Sequence, residues 1–210
     1  ILRYAFKRTG LLTTAPGNVS ASLKVMPGVA TPDVQFAFAP ASYVEGQLGV
    51  LDKFPGMTCG IWQHRPASRG SIHMASTDPE VQPTIRPNYL SDRIDQETIV
   101  GGLRKARELF AQPTLAKFVD VETVPGPDVQ TDDELLDFAR RTGSTVFHPI
   151  GTCKMGTDPM AVVDPELRMH GLKGLRVVDA SVMPLMPSAN TNAAVLMIAE
   201  KAADMIKSAN

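Results

Sequence analysis

The order of elements in this sequence predicts an α+β fold with an α/β-like tail. Three observations carry that expectation. Strand candidates crowd the first half, two amphipathic helices follow, and a buried apolar segment and a closing helix end the chain. The first fifty residues are rich in Pro, Gly, Ser and Thr and hold one clear strand, in PDVQFAFAP. There Val34, Phe36 and Phe38 alternate with Gln35 and Ala37, the period of a strand with one buried face. GMTCGIWQHRP and GSIHMAS read as two more strands joined by a turn at ASRG. That connection is too short for a crossover, so an antiparallel pair is expected. TIRPNYL leads to Ser91 as an N-cap, after which Ile99, Leu103, Ala106 and Phe110 fall on one helical face. Pro113 stops that helix. Thr131 and Glu134 have capping-box spacing and open a second helix. It turns Leu135, Leu136 and Ala139 inward and ends near Gly143. GLRVVDAS reads as a buried strand ending in an acid. NAAVLMIAEKAADMI closes the chain, with Asn192 as N-cap and an apolar stripe of Ala194, Ile198, Ala202 and Met205. A shift in composition near Gly143 divides the chain into residues 1–143 and 144–210.

At 210 residues the chain is long enough for one large domain or two small ones. It is 43% hydrophobic and 20% charged, the balance of a packed core rather than a disordered segment. A net charge of -1, with no basic block interleaved with aromatics, argues against a nucleic-acid binder. No apolar run approaches the length of a membrane span. The start, ILRYAFKRTG, lacks an initiator Met and the pattern of a secretory signal, as expected of a fragment. The two cysteines, Cys59 and Cys153, lie far apart, which fits a reducing compartment and a cytoplasmic location. His64, His73 and His170 have no ligand-spaced partner, so no metal site is expected.

The stretch TVFHPIGTCKMG is the most pointed in the chain. His148 reads in two ways. It is a core histidine with satisfied nitrogens, or it is a base aimed by Pro149, which holds the residue before it extended. Imidazole has the proton affinity for general base work near neutral pH. Gly151 and Gly156 let the backbone pass close to a large neighbour. Asn190 offers an amide just before the closing helix, whose N-terminus favours an anion. SANTN, residues 188–192, is otherwise a plain loop running into that helix. Asp179 is a turn-former or cap, Cys153 a small buried residue, and RPASRG around Arg65 and Arg69 a solvated turn. Phe36, Phe38, Tyr43 and Trp62 form either ordinary core or an aromatic cage for a quaternary ammonium.

FHPIGTCKMG, VVDPELRMHGLKGLRVVDASVMP and SANTNAAVLMIAEKAADMI together resemble the glucose-methanol-choline (GMC) family of flavin-dependent oxidoreductases. The resemblance is closest to its choline dehydrogenase-like alcohol dehydrogenases. RPASRGSIHMASTDPEVQPTIRPNYL adds a fourth stretch similar to the family's substrate-domain sheet. The resemblance implies an antiparallel sheet with helices on one side, plus the closing strand and helix of an α/β FAD-binding domain. It gives residues 1–143 to the substrate-binding domain. Residues 144–210 become the catalytic segment and the remainder of the FAD-binding domain.

By the same resemblance, His148 matches the catalytic base and Asn190 the second catalytic position. Asp179 and Ala180 match a strand end against the flavin, and Asn192 and Ala193 the start of the helix that points at its pyrimidine ring. The implied cofactor is FAD and the implied substrate a small primary alcohol, choline-like or other. Electrons would pass to oxygen or to an acceptor at a membrane. Thr191 departs from the pattern, because many relatives place Pro there. The family's dinucleotide fingerprint, G-x-G-x-x-G, is absent from these 210 residues. The implied partner is therefore an N-terminal FAD-binding portion of the same enzyme, without which this chain is expected to be inactive. A binding or interaction module that kept the fold without the chemistry is the alternative.

Overall fold

The computed structural model describes residues 2–10, 13, 17, 19–45, 47 and 49–208. By contacts the chain divides into two compact units, Ile1–Gln63 with Arg93–Ser144, and His64–Asp92 with Thr145–Asn210.

The first unit opens with a short helix, α1 (Leu2–Lys7), and is built on an antiparallel sheet of β1 (Val19–Leu23), β2 (Val34–Ala39) and β3 (Thr58–Gln63). β2 is central, and its alternation does what the sequence predicts. Val34 and Phe36 are wholly buried, while Gln35 and Ala37 on the other face keep some exposure. β1 was not among the expected strands. It is an edge strand of Val, Ser and Ala with two exposed residues at its start, and so lacks a strong alternating pattern. The turn between β1 and β2 is held by Asp33, whose carboxylate accepts the N–H groups of Val25 and Met26 at 2.8 and 3.0 Å.

Helix α2 (Arg93–Phe110) lies on this sheet. Ala106 joins Val34 and Phe36 in the core, and Phe110 meets Phe38 edge to face at 5.7 Å. Gly102 lets helix and strand approach, because a Cβ there would fall 2.7 Å from Ile61 Cγ2. The helix begins at Arg93, which moves the cap position from Ser91 to Asp92. Pro113 both ends this stretch of helix and opens another, the one-turn α3 (Pro113–Ala116), where its missing N–H costs nothing. In α4 (Asp132–Thr142) the expected capping box is complete. Thr131 Oγ1 accepts from Glu134 N at 3.3 Å, and Glu134 Oε2 accepts from Thr131 N at 2.8 Å. Leu135 is wholly buried. Arg104 of α2 donates to Asp132 and to the Gln130 carbonyl, joining the two helices.

The second unit has less regular structure. β4 (Ser71–His73) and β5 (Thr84–Arg86) form an exposed antiparallel pair. This corrects the expected hairpin across ASRG: β3 pairs with β2, and β4 with β5. The reason lies in the connection, where Arg69 Nη1 donates to the carbonyls of Pro66, Ala67 and Ser68 and so folds it into a closed loop. GLRVVDAS is likewise not a strand. Its ladder is reduced to one bridge, Arg168 with Arg176, and Val177 N–H bonds to Leu167 O. A strand needs a neighbour along its length to satisfy its backbone groups, and this segment has one at a single point. Val177 and Val178 still pack beside the core of Val163, Leu167, Val182, Met183, Ile198 and Ala202.

Helix α5 (Asn192–Ser208) supplies the last two of those core residues, on the stripe expected from sequence. Asn192 is its first helical residue rather than its cap. The first turn closes from Val195 N–H to Thr191 O at 2.9 Å, which puts the nearly buried Thr191 at the cap. Among the described residues no helix is long and apolar enough to cross a membrane.

Candidate functional site

The residues singled out by sequence fall on three segments of the second unit. The first carries His148. Thr145 Oγ1 accepts the N–H of Phe147 at 3.0 Å, and Phe147 takes a φ of 58°. Bulky side chains rarely adopt that left-handed conformation, so the chain changes direction sharply just before the histidine. Pro149 then confines His148 to extended backbone. The imidazole is half-buried. Gly151, with φ of 83°, makes the next turn, which Lys154 N–H closes onto Gly151 O at 3.3 Å. Gly156 sits where a Cβ would come within 2.9 Å of Asp158 Oδ2. That carboxylate is held by Lys154 at 2.8 and 2.9 Å, and the bond keeps its pKa below the ordinary value.

The second segment is a tight 3₁₀ turn, Ala180–Val182. Asp179 caps it, with Oδ1 accepting from Ser181 N at 2.7 Å. Ala180 is half-buried against the core. Two main-chain bonds join this turn to the first segment: Cys153 N–H to Ser181 O at 3.0 Å and Met155 N–H to Val182 O at 2.8 Å.

The third segment is the approach to α5. Asn190 is exposed in an irregular loop, and Asn192 and Ala193 are exposed in the helix's first turn. Early N–H groups of a helix lack partners within it and carry its positive dipole end. The first two segments are tied through their backbone atoms, and all three lead to one core, beside which Ile150, Ala180 and Ala194 pack. Among the described residues no hydrogen bond joins the His148 ring to the Asn190 amide.

Other candidates resolve differently. Phe36 is wholly buried and Phe38 packs beside it, so both are core of the first unit. His170 Nε2 lies 3.1 Å from Gly156 O, and no group of three metal-binding side chains occurs among the described residues. A cavity of about 350 Å³ lies along residues 164–176, lined by Asp164, Arg168, His170 and Lys173 among others, and no site residue borders it. Sequence reasoning missed Thr191 as cap, the turn at Phe147, and a bond from Arg65 to Ser188. The Thr145-x-Phe147 spacing carried a signal for the second, since a Thr hydroxyl readily bonds the N–H two residues on.

A family model described as GMC oxidoreductase matches residues 66–199. The chain belongs to the GMC oxidoreductase family. It is 42% identical over 206 residues to an alcohol dehydrogenase [acceptor] of Pseudomonas putida, covering 98% of this chain and 37% of that protein. It is 45% identical over 179 residues to an oxygen-dependent choline dehydrogenase of Escherichia coli O127:H6, covering 85% of this chain and 32% of the relative. Pyridoxine 4-oxidase from Mesorbium loti superposes with a TM-score of 0.79 at 31% identity, over 88% of this chain and 36% of that one. A formate oxidase from Aspergillus oryzae RIB40, solved in a study of FAD modification, gives 0.79 at 28% identity, over 87% and 32%. The chain therefore spans about a third of the length of these proteins.

Proposed function

We propose that this chain is the C-terminal part of an FAD-dependent GMC enzyme that oxidises a small primary alcohol to the aldehyde. The convergence of the His148, Asp179 and Asn190 segments on one core supports the reading most directly. In this reading residues 1–143 belong to the substrate domain. Residues 144–210 carry the catalytic segment, and Asp179, Ala180, Asn192 and Ala193 would hold FAD. The first turn of α5 fits an anionic ring, being exposed and small in its second side chain, and the early N–H groups of a helix have no partner within it. Asp179 contributes through the shape of its turn, since one carboxylate oxygen is engaged by Ser181.

His148 accepts the hydroxyl proton of the alcohol, its ring aimed by the turn at Phe147 and by Pro149. The Asn190 amide donates a hydrogen bond to the oxygen as it gains charge. The N-terminus of α5 favours negative charge in front of it. Bound FAD would supply the hydride acceptor. An N-terminal portion of the same protein would supply the rest of the cofactor site, and the working location would be the cytoplasm. His148→Ala in the full-length flavoprotein tests the reading. Loss of turnover with flavin retained supports it, and unchanged turnover would sink it. The chain alone, incubated with FAD and desalted, is expected to keep no flavin absorbance. A stoichiometric band would overturn the dependence on the N-terminal portion.

A further inference from the structure

RPASRG, expected as a solvated turn, is a closed clamp. Arg69 Nη1 donates to the carbonyls of Pro66, Ala67 and Ser68 at 2.8, 3.0 and 3.0 Å. Asn88 Nδ2 donates to Arg69 O at 3.0 Å, and Ser68 Oγ accepts the N–H groups of Ser91 and Asp92 at 3.1 and 3.0 Å. Gly70 is pressed against the end of β5, where a Cβ would fall 2.3 Å from Arg86 O and 2.6 Å from Pro87 O. These bonds fold the loop back on itself and join it to the segment that follows β5. From the loop Arg65 Nη1 donates to Ser188 Oγ at 2.5 Å, across 123 residues of sequence. Ser188 stands two residues before Asn190, in the irregular loop that ends at the cap of α5.

We propose that Arg65 is a positioning residue, holding through Ser188 the loop that presents Asn190 to the substrate oxygen. The proposal rests on the reading of Asn190 as the alkoxide's hydrogen-bond donor. An amide that must meet an oxygen in the transition state loses much of its effect when displaced by an ångström. A planar guanidinium on this hydrogen-bonded loop restrains Ser188 in a way that a lysine on its flexible stem does not.

The test uses the full-length flavoprotein with Arg65→Met, Arg65→Lys, Ser188→Ala and Asn190→Ala, and the pairs Arg65→Met/Ser188→Ala and Arg65→Met/Asn190→Ala. Arg65→Met and Ser188→Ala should each lower kcat roughly tenfold with KM little changed, the scale of one charge-assisted hydrogen bond. Their combination should cost no more than either alone. Arg65→Met should add nothing once Asn190 is Ala, and Arg65→Lys should recover part of the loss. If Asn190→Ala lowers kcat while Arg65→Met does not, or if their losses multiply, the positioning role is overturned. If Asn190→Ala leaves kcat unchanged, the reading of Asn190 falls and the catalytic part of this proposal falls with it.

Discussion

The two units are stabilised by different means. In the first, long regular elements present periodic apolar faces: β2 buries Val34 and Phe36, α2 contributes Ala106, and α4 buries Leu135. In the second, α5 is the only long helix among the described residues, and the core around Val163 and Val182 is reached mostly by turns and single bridges. A core built from regular elements depends on side-chain volume. A core reached by turns depends on where individual backbone groups find partners, and it leaves side chains at the turns available for chemistry. His148, Asp179 and Asn190 all stand on such irregular segments.

The largest expected effect separates the two kinds of region by function. His148→Ala should slow turnover of the full-length enzyme by about 10²–10⁴-fold, the usual scale for a lost general base. Steady-state kinetics with the protein's thermal midpoint beside them would show whether the loss is chemical. The next effect falls on the first unit's core. Phe36→Ala should cost about 3–5 kcal/mol, read by chemical denaturation, because the wholly buried ring leaves a cavity that its neighbours fill poorly. A loss near 1 kcal/mol would mean that this core collapses more easily than its regular packing implies.

A smaller effect sharpens the contrast at the end of a helix. Thr131→Ala should cost about 1 kcal/mol through loss of the cap. N–H groups of Thr131 and Gln130, then the Thr131 hydroxyl, hold the Glu134 carboxyl below its ordinary pKa. Because the folded pKa is the lower one, this stabilisation is present above the unfolded value and is lost as pH falls through the folded value. Glu134→Gln should flatten that acid dependence, followed by circular dichroism, and an unaltered profile would remove Glu134 from the account. The smallest effect is on reactivity. Burial pushes the Cys59 thiol from 9.0 up to about 12. Iodoacetamide at mild alkaline pH should therefore label Cys153 well before Cys59, as peptide mapping would show. For Cys59 the folded pKa is the higher one. Its contribution is complete below the unfolded value and is lost as pH rises toward 12.

What the sequence disclosed divides along the same line. The alternation of β2, the capping box of α4 and the apolar stripe of α5 are local patterns, each written within a few residues, and all three appear in the structure. The partner of β3 was not legible, because any strand of suitable pattern can pair with it and the choice is made across the sheet. GLRVVDAS was misread because an apolar run records burial and leaves the backbone conformation open. Thr191 and Asn192 are both able to cap, so the boundary moved by one residue. Of the candidate site, the residue types at 148 and 190 are legible in the sequence, while their spatial relation is not. The link from Arg65 to Ser188 spans 123 residues and has no local trace.

The tie between the histidine segment and the 180–182 turn is made of main-chain atoms, Cys153 N–H to Ser181 O and Met155 N–H to Val182 O. Such a joint is indifferent to side-chain identity. Positions 153 and 181 can drift over generations while the joint persists. For an engineer the same indifference means that a replacement at 153 or 155 leaves the joint's donor in place unless it is proline, although Met155 also packs beside the core and so tolerates only apolar substitutes well.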